Sequence, residues 1–258
     1  MRITLWMALW AWFVTHAVAA NALPPHLLAF PGEGRDKIRF SLKGGEASQV
    51  HIFSPVMEKE VVVKPLNQGA GEVSLAGGQG GYHWLAASWL EGEVERVATT
   101  AHFVALPGPS PVSLLKAAKN PLEIIPQPLP REHQRYRGGE TWPFLLRFAG
   151  EPLVDKGVVL YSQGQTPVTF RSDQTGMVRV TFPIPDEKAS HGGKHGRHGP
   201  QFPFVLEVTH RQGERGYATT FAHSHGPHHG RDLPYGAGLG LVGFVLGSFF
   251  LHRRRPAS

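Results

Sequence analysis

Short runs of alternating apolar and polar residues, each ended by a glycine- or proline-containing break, fill the middle of the chain. Such alternation is typical of β-strands, because successive side chains of a strand point to opposite faces. Val178, Val180 and Phe182 share one face of such a run, and Arg179 and Thr181 occupy the other. In the first half the pattern predicts strands over 37–42, 49–53, 61–66, 72–75, 82–89 and 97–106. In the second half it predicts strands over 122–125, 142–148, 158–162, 166–171, 177–182, 202–209 and 217–222.

A proline-rich stretch at 107–111 interrupts this pattern and suggests a boundary between two domains. We predict an N-terminal β-sandwich over 21–106, a linker over 107–119 with a short helical segment, and a second sandwich over 120–225. Seven short strands in the second region are typical of an immunoglobulin-like sandwich. The predicted fold class is therefore all-β, with one or two immunoglobulin-like β-sandwich domains.

The N-terminus has the features of a secretory signal peptide. Arg2 supplies a positive charge, residues 5–14 are apolar, and small residues follow at 17–20. This order predicts a signal peptide over 1–20, cleaved after Ala19 or Ala20, and the apolar run is short for a spanning helix. An uncleaved N-terminal anchor is the alternative.

The C-terminus has the features of a membrane anchor. Residues 235–251 carry no charge, and three arginines follow at 253–255. We predict a single transmembrane helix over 234–252, preceded by a histidine-rich linker over 226–233 and followed by a cytoplasmic stub over 253–258, because positive charge beside a span favours the cytoplasmic side. The alternative is a buried core helix, against which the glycines of this segment argue. The bulk of the chain is then expected in the periplasm, held to the inner membrane.

The amino-acid composition and the absence of known motifs exclude several kinds of catalysis and binding. The chain has no cysteine, which excludes disulfides and thiolate catalysis. Part of the net charge of +6 lies in the C-terminal stub, so we do not expect nucleic-acid binding. Motifs of zinc proteases, serine hydrolases, P-loop proteins and dinucleotide-binding proteins are absent, and we predict that the chain is not an enzyme.

Two glycine-rich segments concentrate histidines, which are good ligands for Ni²⁺, Co²⁺, Zn²⁺ and Cu²⁺. Glycine favours loops over helices here, and it allows several imidazoles to turn toward one ion. The candidate metal ligands are His191, His195, His198, His223, His225, His228 and His229. If the strands after the first cluster alternate in direction, both clusters emerge at one end of the sandwich, next to the membrane. The alternative is that these tracts are solvated linkers.

The other histidines are weaker candidates for metal ligands. His51, His83, His102 and His210 fall in predicted strands or at their ends, where a structural role is expected. His26 is a candidate ligand near the mature N-terminus, and His133 fits either class.

A few other side chains also have simple expected roles. We expect Glu123 to be a charge at a strand edge and Asp173 to form a turn. Four aromatic residues are expected in the core: Tyr82, Trp84, Trp142 and Phe144.

The second predicted domain resembles the DUF4198 family of exported proteins. The resemblance rests on Asn-Pro-Leu-Glu-Ile-Ile-Pro at 120–126, Gly139, the run 145–148 followed by Gly-Glu-Pro-Leu at 150–153, and Thr175-Gly176. Members of this family are associated with nickel and cobalt uptake and resemble accessory components of energy-coupling-factor type transporters. The resemblance implies Ni²⁺ or Co²⁺ as a transiently bound ion and inner-membrane transporter subunits as partners, contacted through the transmembrane helix.

The sequence thus favours a membrane-anchored metal-binding accessory protein. The alternative is a structural or interaction module of the cell envelope in which the histidines are incidental.

Overall fold

The computed structural model describes residues 23–56, 62–75, 79–130, 135–184 and 201–227. The predicted signal peptide and transmembrane helix lie outside these ranges, as do the linker 226–233 beyond Pro227 and the stub. Within them, no helix is long and apolar enough to cross a membrane.

The described residues are mostly β-strand, which confirms the all-β prediction. In the first half the strands are β1 (His26–Pro31), β2 (Lys37–Lys43), β3 (Gln49–Phe53), β4 (Val62–Pro65), β5 (Ala70–Ser74), β6 (Gly81–Glu91) and β7 (Val94–Val104). A short helix α1 (Val112–Lys116) follows in the predicted linker. In the second half the strands are β8 (Leu122–Pro126), β9 (Tyr136–Arg137), β10 (Thr141–Phe148), β11 (Glu151–Pro152), β12 (Gly157–Ser162), β13 (Val168–Arg171), β14 (Met177–Thr181), β15 (Phe202–Gln212) and β16 (Arg215–Gly226).

These strands form three sheets. A three-stranded sheet has the order β1-β2-β5, and a four-stranded sheet contains β8, β10, β11 and β14. The remaining strands form one nine-stranded sheet in the order β13-β12-β15-β16-β7-β6-β3-β4, with β9 beside β16. The two halves of the chain meet in this large sheet, where β7 and β16 pair in parallel from Val94↔Gly216 to Thr100↔Ala222.

Two hydrophobic cores lie against the large sheet. The first packs it against the three-stranded sheet and includes Leu27, Ile38, Phe40, Val50, Ile52 and Leu85. The second packs it against the four-stranded sheet and includes Trp84, Ile124, Phe144, Val180, Phe204 and Phe221. Alternate residues of β6 divide between the two cores, and this strand is therefore buried on both faces, as its nearly continuous apolar sequence requires.

The boundary predicted between 21–106 and 120–225 does not correspond to a break in the sheet. Residues 23–227 belong to one compact unit, and each predicted half contributes strands to the same nine-stranded sheet. Tyr82 and Trp84 are core residues, as predicted, but they belong to the core that the second half builds. Phe144 is also buried, and Trp142 packs partly buried against the same core.

Asp173 forms the turn that the sequence predicts. Its carboxylate accepts hydrogen bonds from the backbone N–H of Thr175 at 2.8 Å and of Met177 at 3.1 Å. The Thr175 hydroxyl donates a further bond at 2.6 Å. These bonds, the Thr175 hydroxyl bond first, hold the pKa of Asp173 below its ordinary value.

Glu123 corrects the prediction of a strand-edge charge, because its side chain is only 1% exposed. It accepts a hydrogen bond from Arg147 Nε at 2.6 Å and lies 3.4 Å from Lys119 Nζ. Lys119 also donates to the carbonyls of Leu114 and Ala117, at the end of α1. Burial lowers the pKa of Lys119 to about 8, although Glu123 opposes that shift. The buried charges therefore attach α1 to β8 and β10.

Candidate functional site

The large sheet divides where β16 separates from β7. The two strands pair as far as Thr100↔Ala222, and beyond this point β9 lies beside β16, with Tyr136 opposite His225. A cavity of about 580 Å³ opens at the division. Its polar lining consists of Thr100, His102, Arg135, Gln201, His223 and Ser224, and its apolar lining includes Leu28, Ala29, Phe30, Pro31, Ala101 and Phe103.

Residues of β7 line this cavity where its pairing with β16 ends. Four consecutive residues, from Thr100 to Phe103, are among the lining residues. The edge strand β1 supplies one wall through Leu28 and Phe30. The cavity is thus bounded by both halves of the chain.

His223 lies in β16 and not in a loop, which corrects the sequence-based expectation. Its ring packs edge-on against Tyr136, with centroids 5.1 Å apart, and lines the cavity. The Ser224 backbone N–H donates to His223 Nδ1 at 2.8 Å, while the Ser224 carbonyl lies 3.2 Å from the same nitrogen. The shorter contact favours the neutral tautomer with hydrogen on Nε2. Burial lowers the pKa of His223, the Ser224 carbonyl opposes this shift, and the Arg135 charge adds to it.

His225 also lies in β16 and is a core residue, only 1% exposed. Its ring stacks on Phe182 with centroids 5.7 Å apart, and its Nε2 lies 3.4 Å from the Ser162 hydroxyl. Burial lowers the pKa of His225, although the Gly226 carbonyl opposes this shift. The expectation that His225 belongs to a loop is wrong, because the strand continues to Gly226 and the His225 side chain is buried.

The register of β15 and β16 places Gln201, which follows one histidine-rich segment in the sequence, near His223 and His225 of the other. The strands are antiparallel, with Phe202 opposite His225 and Phe204 opposite His223. Gln201, which follows the segment 185–200 in the sequence, accepts a hydrogen bond from the Ser224 hydroxyl at 2.7 Å. Five candidate ligands lie outside the described residues: His191, His195, His198, His228 and His229.

His83 and His102 face each other across β6 and β7. Burial lowers the pKa of each to about 4, and the neighbouring charges of His223 and then His83 contribute at His102. His83 Nδ1 lies 3.3 Å from the Gly81 carbonyl, and its buried Nε2 has no hydrogen-bond partner. His83 is therefore structural, as predicted, whereas His102 also lines the cavity.

The remaining described histidines occupy structural positions. His26 is buried in β1, with Nδ1 2.8 Å from the Pro24 carbonyl, and burial lowers its pKa. His210 packs against Phe148, with centroids 4.5 Å apart, and His51 lies 3.3 Å from the Gln49 amide. His133 lies outside the described residues. Among the residues that the structure does describe, no three His, Asp or Glu side chains are grouped to hold a metal ion.

Replacing His83 with leucine is expected to flatten the dependence of stability on pH. The unfolded chain binds a proton at this site below pH 6.5, while the folded chain does so only below about 4, so stability falls as the pH falls through this window. One such group contributes a slope of about 1.4 kcal/mol per pH unit. Denaturant unfolding between pH 4.5 and pH 7 measures the slope, and the pH 7 values serve as the internal control. Equal slopes in both proteins would contradict this assignment.

A second cavity, of about 740 Å³, adjoins the first and shares Tyr82 and Phe103 with it. Its walls are mostly apolar and rich in proline, including Pro107, Pro109, Pro111, Pro128 and Pro130. The Tyr82 hydroxyl donates to the Pro130 carbonyl at 2.7 Å. None of its lining residues in the described part of the chain is charged or a histidine.

Sequence reasoning missed the first cavity, Arg135 and the position of His102. No sequence motif surrounds Arg135, and His102 lies in an ordinary strand pattern. Only the parallel pairing of β7 with β16 brings His102 and His223 to one cavity, and neither residue's local sequence signals that pairing.

Comparisons with known proteins leave the family open. No family model matches the chain, and no curated protein matches it. Seven chains of solved structures are similar, among them Salmonella alpha-2-macroglobulin reacted with methylamine. That protein is 12% identical over 81% of this chain, with a TM-score of 0.24, and the match spans 15% of its own length. A likeness of this extent supports no conclusion about fold or activity.

Proposed function

We propose that this chain is a membrane-anchored accessory protein of the cell envelope that collects Ni²⁺ or Co²⁺ and passes it to inner-membrane transporter subunits. In this proposal a signal peptide over 1–20 exports the chain, the helix 234–252 anchors it, and the sandwiches lie in the periplasm. Zn²⁺ and Cu²⁺ are alternative cargoes, because imidazole binds all four ions. Resemblance to the DUF4198 family is the reason for preferring nickel and cobalt.

The β15–β16 register carries this proposal. Gln201 contacts Ser224, which lies between His223 and His225, so the segment with His191, His195 and His198 rejoins the sheet beside the second cluster. Beyond Pro227 the chain continues directly to His228 and His229. Both clusters are therefore joined to one end of the sheet, and this end precedes the proposed anchor.

The proposed immunoglobulin-like character of the second half has support in its layers. The sheet containing β8, β10, β11 and β14 packs against β12, β15 and β16 of the large sheet, and the strand pairs within each layer are antiparallel. Two packed antiparallel sheets are the defining feature of that architecture.

His223 and His225 are less suited to metal binding than the five candidate histidines outside the described residues. The 2.8 Å contact from the Ser224 N–H makes Nδ1 of His223 an acceptor and favours hydrogen on Nε2, so neither nitrogen of that tautomer is open to a metal. The nitrogens of His225 lie against Gly226 and Ser162 inside the core. We therefore assign ion capture to His191, His195, His198, His228 and His229.

Calorimetry on residues 21–232 with Ni²⁺, Co²⁺, Zn²⁺ and Cu²⁺ tests the proposal. We expect binding of Ni²⁺ or Co²⁺ that weakens as the histidines protonate and that disappears when His191, His195, His198, His228 and His229 are all changed to alanine. The matched control changes His51 and His210 to alanine and is expected to leave binding unchanged. Leaving β16 intact separates loss of ligands from loss of fold.

Absence of binding, or binding unchanged in the five-histidine variant, would contradict the proposal. Either result would favour a structural or interaction module of the cell envelope. Two observations are consistent with that second candidate: His225 is a core residue, and the adjoining 740 Å³ cavity is lined mostly by apolar residues.

A further inference from the structure

The second cavity, of about 740 Å³, is a candidate binding site that the proposed metal-binding function does not use. Its walls come from the start of β6, the end of β7, the stretch from Ala105 to Val112, the helix α1 and the connection 128–130 after β8. Pockets that bind small molecules usually have volumes of roughly 300–1,000 Å³. The cavity is therefore large enough to enclose a small organic molecule.

The wall formed by the proline-rich segment 107–111 is fixed against the start of β6 by a close backbone approach. A Cβ atom added to Gly80 would overlap the Leu106 carbonyl, and one added to Gly108 would overlap the Gly80 carbonyl. The Gly80 N–H also donates to the Pro107 carbonyl at 3.3 Å. Because these contacts hold the wall in place without a ligand, binding needs little ordering of the chain.

The lining of this cavity favours an uncharged ligand. Across the part of the chain that the structure describes, no Asp, Glu, Lys, Arg or His belongs to it. A charged ligand would lose hydration on entering without gaining an opposite charge from these residues, which disfavours its binding. The Tyr82 hydroxyl, which donates to the Pro130 carbonyl at 2.7 Å, is uncharged as well, because burial raises the pKa of Tyr82 to about 12.

The rings on the cavity wall favour an aromatic ligand. Tyr82 and Phe103 both line the cavity, and their rings lie edge to face with centroids 5.2 Å apart. Such rings attract a further ring in stacked or edge-to-face arrangements, in addition to the effect of burying apolar area. Five prolines and Val112, which is 53% exposed, add apolar surface that a ligand would remove from water.

We propose that this cavity binds a small uncharged aromatic molecule, with its ring against Tyr82 and Phe103 and its remaining surface against the proline-rich segment 107–111. The inference goes beyond the proposed metal-binding function and does not rest on it, because it uses none of the candidate metal ligands. The proline-rich segment is then one wall of a binding site and not only a connection between two parts of the sheet.

Calorimetric titration of the full chain with benzyl alcohol and with benzylamine tests the preference for an uncharged ligand. The two probes have nearly the same shape, but benzylamine is a cation at pH 7. We expect benzyl alcohol to bind and benzylamine to bind at least about tenfold more weakly, because the cation loses its hydration without gaining a partner. Absence of benzyl alcohol binding, or benzylamine binding that is equal or tighter, would overturn the proposal.

Cyclohexylmethanol tests the preference for an aromatic ring, since it has the same carbon skeleton as benzyl alcohol in saturated form. We expect it to bind several-fold more weakly than benzyl alcohol, because it cannot make the ring interactions with Tyr82 and Phe103. Equal or tighter binding of the saturated alcohol would overturn the assignment of an aromatic ligand. The full chain is held in detergent micelles, and titration of protein-free micelles corrects for partition of each probe into detergent.

Ala105→Trp is expected to weaken benzyl alcohol binding at least about tenfold, because the added ring occupies part of the cavity. Ala105 is exposed, so the new side chain displaces no buried one. Ala118→Trp is the matched control, since Ala118 is also exposed but lies outside the cavity lining, and this variant is expected to bind like the unmodified protein. Equal affinities of the two variants for benzyl alcohol would overturn the assignment of binding to this cavity.

Discussion

Glu123→Gln is expected to destabilise the protein by about 3–5 kcal/mol, the usual cost of removing one partner from a buried ion pair. Glutamine keeps the shape of the side chain but removes the negative charge that faces Arg147 at 2.6 Å and Lys119 at 3.4 Å. The side chains of Lys119 and Glu123 are 0% and 1% exposed, so water cannot replace the missing carboxylate. Urea unfolding at pH 7, followed by circular dichroism, measures the loss.

Glu72→Gln is the matched control for this substitution. Glu72 pairs with Lys37 at 3.3 Å, but both side chains are more than a third exposed, and exposed pairs contribute at most about 1 kcal/mol. If the two variants lost equal stability, burial of the Glu123 network would have no energetic consequence and its proposed role in holding α1 would be wrong.

Phe221→Ala is expected to cost about 3–5 kcal/mol and to destabilise both halves of the protein together. Phe221 in the second half is fully buried and stacks on Trp84 in the first half, with ring centroids 5.5 Å apart. Removing the ring leaves a cavity where β6 packs against the second core. Because the large sheet is continuous, we expect one unfolding transition when tryptophan fluorescence and far-ultraviolet circular dichroism are compared.

Phe30→Ala removes the same ring from a position that is 45% exposed, and it is expected to cost less than about 1 kcal/mol. Separate transitions for the two probes in the unmodified protein would show that the halves unfold independently. That result would restore the two-domain division that the proline-rich linker suggests.

The sequence identified candidate metal-binding histidines but not the positions of their side chains in the fold. The clustering of seven histidines in glycine-rich segments marks candidate ligands without any structure, because side-chain chemistry and spacing are local properties. Whether an ion can reach a particular histidine depends instead on residues that are distant in the sequence. His225 belongs to such a cluster, yet it packs against Ser162 of β12 and against Phe182, which directly follows β14.

Local periodicity determined the class of the fold and most of the strands. It worked best where one face of a strand is buried, as in β2 and β14, because alternation of polar and apolar residues then reports burial directly. The turn at Asp173 was equally readable, since its hydrogen bonds all lie within four residues. The sequence pattern did not predict short strands such as β9 and β11, because two residues are too few to show an alternation of polar and apolar positions.

The tertiary structure alone decided how the two halves combine and where the first cavity lies. β7 and β16 pair over a separation of more than a hundred residues, and a hydrophobic pattern records that a face is buried without recording its partner. The burial of Glu123 could not be predicted for the same reason. A charged side chain is expected at the surface, and only the fold places Arg147 and Lys119 beside this one. Composition and spacing thus determined which side chains this protein has available, while long-range strand pairing decided which of them meet.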